Sequence, residues 1–240
     1  MRPLMLSLLL LAGCDYGFEK QSHVGKLRVL AVRAEPPEII AGDGPADVTL
    51  TALAVDPSGA PVEVRYALCS FAGLPAADLD CPGADGTPLE PSDAVSARLR
   101  GSVELPAGAP AVIQLAIGFH ATAGAESLHG FAALNVRTSA GGPANRNPSL
   151  ETVILPDTVK AGEKISLRPV PAADAVEAGD KLTYSFFATA GDLDALRSTD
   201  LDPAVDWTAP AEAGLVRFWI VVRDGRGGTG WLARSLQVLP

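Results

Sequence analysis

Alternation with a period of two, interrupted every several residues by turn formers, limits what this chain can fold into. Successive side chains of a strand point to opposite faces, so such runs make half-buried strands. Val48-Thr-Leu-Thr-Ala-Leu-Ala-Val55 alternates in this way and is closed by Asp56-Pro57-Ser58-Gly59, a turn sequence. Val62-Glu-Val-Arg-Tyr-Ala-Leu-Cys69 alternates more cleanly. Leu27–Arg33 is less regular: Leu27, Val29 and Ala31 share one face, but Arg28, Leu30 and Val32 on the other are mixed. Glu35-Pro36-Pro37 stops that run. The 24 glycines and 20 prolines supply the punctuation, and no stretch keeps a long, clean helical period. The pattern predicts an all-β protein of antiparallel sandwich type. Residues 70–100 read as one long irregular segment.

The second half of the chain repeats the first in order. Ala41-Gly42-Asp43 corresponds to Ala161-Gly162-Glu163, and Val64–Cys69 to Leu182–Phe187, placing Tyr66 opposite Tyr184. Leu105-Pro106-Ala107 followed by Val112–Ile117 corresponds to Ala209-Pro210-Ala211 followed by Val216–Val221. Between the halves lies Ser139–Pro148, rich in Gly, Pro and Asn, read as a linker with few contacts.

The N-terminus carries a separate signal. Arg2 is followed by an apolar run from Leu4 to Ala12. As a helix that run is about 13 Å long, under half of a bilayer's hydrocarbon core of about 30 Å. It therefore reads as the apolar region of a signal peptide. Leu11-Ala12-Gly13-Cys14 resembles the lipobox of bacterial lipoproteins. The resemblance implies cleavage before Cys14, diacylglycerol on its thiol, and acylation of the new amine, which together anchor a chain stably. Residues 14–26 then read as a lipidated cysteine and polar tether.

Three cysteines are present. With Cys14 lipidated, Cys69 and Cys81 remain as an even pair in an oxidising compartment, and a disulfide between them is expected. Their spacing does not match paired zinc ligands.

The formal net charge of −9 opposes phosphate backbones, so nucleic acid is not an expected partner. No catalytic motif is found. Gly225-Arg-Gly-Gly-Thr-Gly230 matches G-x-G-x-x-G, but only ten residues follow, so it reads as a hairpin turn. His120 and His129 flank one loop without a third metal ligand. The acidic pairs Asp78/Asp80, Asp192/Asp194 and Asp200/Asp202 fail the EF-hand pattern. Trp219 reads as core; Trp207 and Trp231 read as inter-sheet packing too, with a sugar-stacking platform as the weaker alternative.

Asp206-Trp-Thr-Ala-Pro210, then Phe218-Trp-Ile-Val-Val-Arg-Asp224-Gly-Arg-Gly-Gly228, resembles the end of an immunoglobulin-like domain of the bacterial PKD/cadherin-like kind. The first half resembles it more weakly. The resemblance implies two tandem immunoglobulin-like sandwiches: signal peptide 1–13, lipidated cysteine and tether 14–26, domain 27–140, linker 141–147, domain 148–240. It brings no catalytic residues and no cofactor; calcium at the domain junction, near Asn145-Arg-Asn147-Pro148, is the weaker expectation. The expected function is a non-enzymatic, lipid-anchored envelope protein, on the outer or inner membrane and facing the periplasm or cell surface. Its role would be structural or protein-binding, through an envelope protein partner. The alternatives are a carbohydrate-binding or adhesive lipoprotein, and an accessory subunit of an envelope enzyme.

Overall fold

The computed structural model describes residues 20–69, 86–103, 105, 108–138, 144–173, 177, 180–199, 201 and 203–240. Cys14 with the signal segment, Cys81, Asp78, Asp80, Asp200, Asp202 and linker residues 141–143 lie outside the described residues. Among those described there is no helix.

The first half contains β1 (Arg28–Glu35), β2 (Glu38–Ala41), β3 (Ala46–Val55), β4 (Val62–Leu68), β5 (Thr87–Pro88), β6 (Glu90–Pro91), β7 (Ser96–Gly101), β8 (Val112–Ala123) and β9 (Glu126–Thr138). The second contains β10 (Leu150–Ile154), β11 (Thr158–Lys160), β12 (Lys164–Pro171), β13 (Thr183–Ala188), β14 (Asp192–Leu193), β15 (Arg197–Thr199), β16 (Val205–Thr208), β17 (Gly214–Arg223) and β18 (Thr229–Leu239).

The first half forms sheets in the order β1-β3-β7-β6 and β2-β9-β8-β4-β5. The second forms β10-β12-β16-β14 and β11-β18-β17-β13-β15. A four-stranded sheet facing one built on the long β8/β9 or β17/β18 hairpin is the immunoglobulin-like sandwich. The strand pairings are antiparallel except β2 with β9 and β11 with β18, where the second strand of each half lies in the sheet opposite the first strand's and runs parallel to the last. Tyr66 in β4 and Tyr184 in β13 occupy equivalent strands, as do Ile113 in β8 and Arg217 in β17. The short edge strands differ: β5, which pairs β4, precedes β6, whereas β15, which pairs β13, follows β14.

Alternation fills the cores as expected. Val48, Leu50 and Ala52 of β3 point inward against Val64, Tyr66, Ile117, Phe119 and Leu134. In the second sandwich Tyr184, Phe186, Trp207, Phe218, Ile220 and Val222 form the core. The predicted turn closes through Ser58 N–H to Asp56 Oδ1 (2.7 Å), with Gly59 at φ 81°, a left-handed conformation that favours glycine.

Three readings need correction. The segment expected to be irregular contains β7, whose inward residues are only Ala97 and Leu99, a weak apolar signal. The mixed face of β1 comes from a register shift between Val29 and Ala31. Val29, Val32 and Ala34 serve the first core, while Leu30 and Ala31 turn outward together, as a bulge allows. Finally, the described part of the tether is docked: Val24 N–H donates to Ala188 O and Ala188 N–H to Ser22 O (both 2.9 Å), and Val24 is wholly buried.

Candidate functional site at the junction of the sandwiches

The strand β17 reads Gly214-Leu-Val-Arg-Phe-Trp-Ile-Val-Val-Arg223, and its centre is buried on both faces. Phe218, Ile220 and Val222 face their own core. Trp219 and Val221 face the other way and form a third apolar cluster with Phe187 of β13 and Val24, Leu30, Ala31 and Val55 from the first half. An apolar strand buried on both sides needs a second cover, and the first sandwich with its N-terminal segment supplies it.

Polar groups tie the rest of this junction. Asp224, 1% exposed, follows β17 and accepts from Arg226 N–H (2.7 Å) and Gly228 N–H (2.9 Å) through Oδ1, and from Asn145 Nδ2 (2.8 Å) through Oδ2. Asn145 N–H donates to Glu38 Oε1 (2.7 Å). Glu38 in turn pairs with Arg137 at 2.9 Å, both side chains 8% exposed. Asn147 Nδ2 donates to Ala34 O (2.7 Å) and Glu35 Oε2 (2.8 Å), while its Oδ1 accepts from Thr229 N–H (2.8 Å). Arg226 reaches Asp180 (2.8 Å) and Glu177, and Asn135 Nδ2 donates to Arg226 O (2.6 Å). The Arg146 and Arg226 hydrogen bonds hold the Glu177 carboxyl below its usual range.

The described end of the expected linker is therefore densely bonded. Asparagine there is a two-way connector between sandwiches and not merely a turn former. The acids near Asn145–Pro148 are already engaged by guanidinium, amide and backbone donors. The glycine-rich turn is the β17–β18 hairpin. It lies close to the chain entering the second sandwich: a Cβ on Gly230 would sit 1.9 Å from Pro148 O.

Arginines line one side of the junction. Arg28, Arg197 and Arg223 border a cleft of about 480 Å³ together with Thr183, Ser185 and Phe187. Arg223 Nη2 donates to Leu30 O (3.2 Å) across the junction. Burial, with Arg197 nearby, pushes the Arg223 pKa down.

The other expected site residues fall elsewhere. Trp207 is wholly buried, donates Nε1–H to Ala190 O (3.0 Å) and packs edge-on against Phe218 at 5.0 Å. It is inner-face core and offers no stacking surface. Trp231 is half-buried against the junction cluster, and the Arg33 guanidinium covers its ring at 4.8 Å. The two do not form an exposed pair. His120 and His129 are direct cross-strand partners with rings stacked at 4.2 Å. Burial, then the neighbouring His129 and Arg65, lowers the His120 pKa. Among the described residues no three His, Cys, Asp or Glu side chains converge to hold a metal. Asp192 and Asp194 pair with Lys20 and Lys164 respectively. Cys69 is buried just after β4; its expected partner Cys81 is outside the described residues. No described helix is long and apolar enough to cross a membrane.

Sequence reasoning missed Asn145, Asn147 and Asp224 as connectors, and the three arginines as a group. The available signal was β17 itself, apolar on both faces where a half-exposed strand alternates.

No family profile matches the chain, and no curated protein matches it. Among solved structures it is similar to SGBP-B of the Bacteroides ovatus mixed-linkage glucan utilization locus in complex with a mixed-linkage heptasaccharide, at 13% identity and TM-score 0.25, covering 89% of this chain and 47% of that one. It is similar to the N-terminal Ig1-2 module of the Drosophila receptor protein tyrosine phosphatase DLAR, at 11% identity and TM-score 0.28, covering 90% and 100% respectively. It is also similar to the Yersinia pseudotuberculosis adhesin InvE, at 14% identity and TM-score 0.29, covering 90% and 61%. This chain thus spans less than half of the first of these structures and under two thirds of the third. The strand order within each half carries the fold assignment on its own.

Proposed function

We propose that the chain is a lipid-anchored protein of the bacterial cell envelope, with a structural or protein-binding role and no catalytic one. The anchor reading rests on Leu11-Ala12-Gly13-Cys14 after a short apolar run. The observation that carries the structural role is the docked junction. Segment 22–24 is bonded to β13 of the second sandwich, and Val24 is buried in the cluster that joins the two halves. A protein built this way holds both sandwiches at a fixed angle and presents one composite surface to a partner. Export through the same route places Cys69 and Cys81 in an oxidising space, where the reading pairs them.

The test is metabolic labelling with an alkyne palmitate in a bacterial host, followed by membrane fractionation. The native chain should incorporate label and sediment with membranes. Cys14→Ser should lose the label and remain unprocessed. Label retained by the serine variant would contradict the anchor. A cross-linking pull-down from intact envelopes tests the binding role; a defined protein recovered with the native chain, and lost when the junction is disrupted by Trp219→Ala, is the expected result.

A further inference from the structure

Three guanidinium groups converge on one cleft between the sandwiches, and none has a carboxylate partner among the described residues. Arg28 and Leu30 come from the first half; Thr183, Ser185, Arg197 and Arg223 come from the second. Among the described residues no Asp or Glu lines the cleft, although the chain carries 28 acidic against 19 basic residues. The donors are under-used. Arg28 Nη1 serves the Gln21 and His23 carbonyls (2.8 and 2.6 Å). Arg223 Nη2 reaches Leu30 O, but its Nη1 meets Ser185 Oγ only at 3.5 Å, the outer limit of a hydrogen bond. Asp194 and Asp206, which share a neighbouring depression with Arg197, are occupied: both bind Lys164 (2.9 and 3.1 Å).

Arg223 is partly out of water beside the exposed Arg197, with no described carboxylate lining the cleft, and that arrangement is electrostatically unfavourable. An oxyanion entering the cleft relieves the repulsion between Arg223 and Arg197 and replaces the hydration that Arg223 has lost. Guanidinium forks bond such oxygens in pairs, and the Ser185 and Thr183 hydroxyls stand ready to donate as well. Three positive charges match a phosphate better than a single-charge carboxylate. Leu196 on the wall suits an apolar body attached to that phosphate, while the Phe187 ring is already covered by the Arg28 guanidinium at 5.9 Å.

We propose that this cleft is a phosphate-binding site, with the oxyanion held between Arg197 and Arg223 and bordered by Arg28 and Ser185. The phosphate can belong to a soluble compound or to a lipid headgroup. Gln21 lines the cleft only seven positions after Cys14, and seven extended residues reach about 25 Å. An anchored chain thus keeps membrane headgroups within range, but the site itself does not depend on the anchor.

The experiment is calorimetric titration of the full chain in a phosphate-free, non-ionic detergent. One arm adds inorganic phosphate; the other adds the same detergent doped with phosphatidylglycerol. Saturable one-site binding is expected in at least one arm, weakened tenfold or more by Arg197→Gln and by Arg223→Gln. Arg217→Gln, on an exposed arginine of β17 that does not line the cleft, should leave it unchanged. Saturation by inorganic phosphate identifies a soluble ligand; saturation by the doped micelle alone identifies a headgroup. No saturable binding in either arm, or binding that survives Arg197→Gln, overturns the proposal. Arg197 is exposed, so its variant should fold and keeps the test decisive should Arg223→Gln misfold.

Discussion

Two tryptophans, Trp207 facing the second core from β16 and Trp219 facing outward from β17 of the opposing sheet, separate the stability of the second sandwich from the docking of the first onto it. Trp207 is wholly buried inside the second core, and Trp219 is 7% exposed within the junction cluster. A buried tryptophan removes about 150–250 Å² from water, worth roughly 4–6 kcal/mol at about 25 cal/mol per Å². Alanine keeps a little of that, so either truncation should cost about 3–5 kcal/mol. The cost should fall in different places. Trp207→Ala also leaves Ala190 O without its indole donor and should destabilise the second sandwich itself. Trp219 points outward and is covered only because the first half lies over it, so Trp219→Ala should weaken docking and leave both cores intact. The assay is urea unfolding, followed by far-ultraviolet circular dichroism and by amide exchange resolved by residue. The native chain should unfold in one transition. Trp219→Ala should split it into two, with Val24 and Leu30 amides exchanging early. Trp207→Ala should instead lower the midpoint of the second sandwich. A Trp219→Ala protein that loses under about 1 kcal/mol and keeps a single transition would refute the reasoning.

Gly230→Ala places a Cβ 1.9 Å from Pro148 O, backbone against side chain; it should cost at least about 1–3 kcal/mol, read as a lower urea midpoint, whereas alanine at open Gly59 should act only through its turn conformation. Glu177, held low by Arg146 and Arg226, contributes stability that is complete above its unfolded pKa near 4.5 and is lost as pH falls through the depressed folded value. Midpoints measured between pH 6 and pH 3 should therefore fall less steeply for Glu177→Gln than for the native chain. Unreduced, unfolded protein carrying lipid on Cys14 should take up no thiol alkylator and should take up two after reduction; replacing Cys69 and Cys81 by serine should cost about 3 kcal/mol.

Much of the architecture was legible in local pattern. Val48–Val55 and Val62–Leu68 alternate because each has one face in the core and one outside, and Asp56–Gly59 carries turn chemistry that depends on nothing distant. The order-preserving likeness of the halves is realised as the same sheet order for all but the short edge strands. What was not legible depends on distant contacts. The mixed faces of Leu27–Arg33 come from a bulge that feeds Leu30 and Ala31 to another domain. Asn145 and Asn147 look like loop residues until the groups they bond, from Ala34 to Thr229, are brought beside them. Trp207, by contrast, was legible as inter-sheet packing, and it is wholly buried in the second core. The arginine cleft joins positions 28, 197 and 223, which no short window contains.

The central claim is that the two sandwiches form one docked unit. Residual dipolar couplings of backbone amides in the full chain, held in weakly aligned neutral detergent, test it most directly. Couplings from residues 28–138 and 150–239 should fit a single alignment tensor, with both halves in the relative orientation fixed by the Trp219–Leu30 cluster and the Asn145–Asp224 contact. Two tensors of different magnitude would show that the halves tumble independently and would contradict the docked junction.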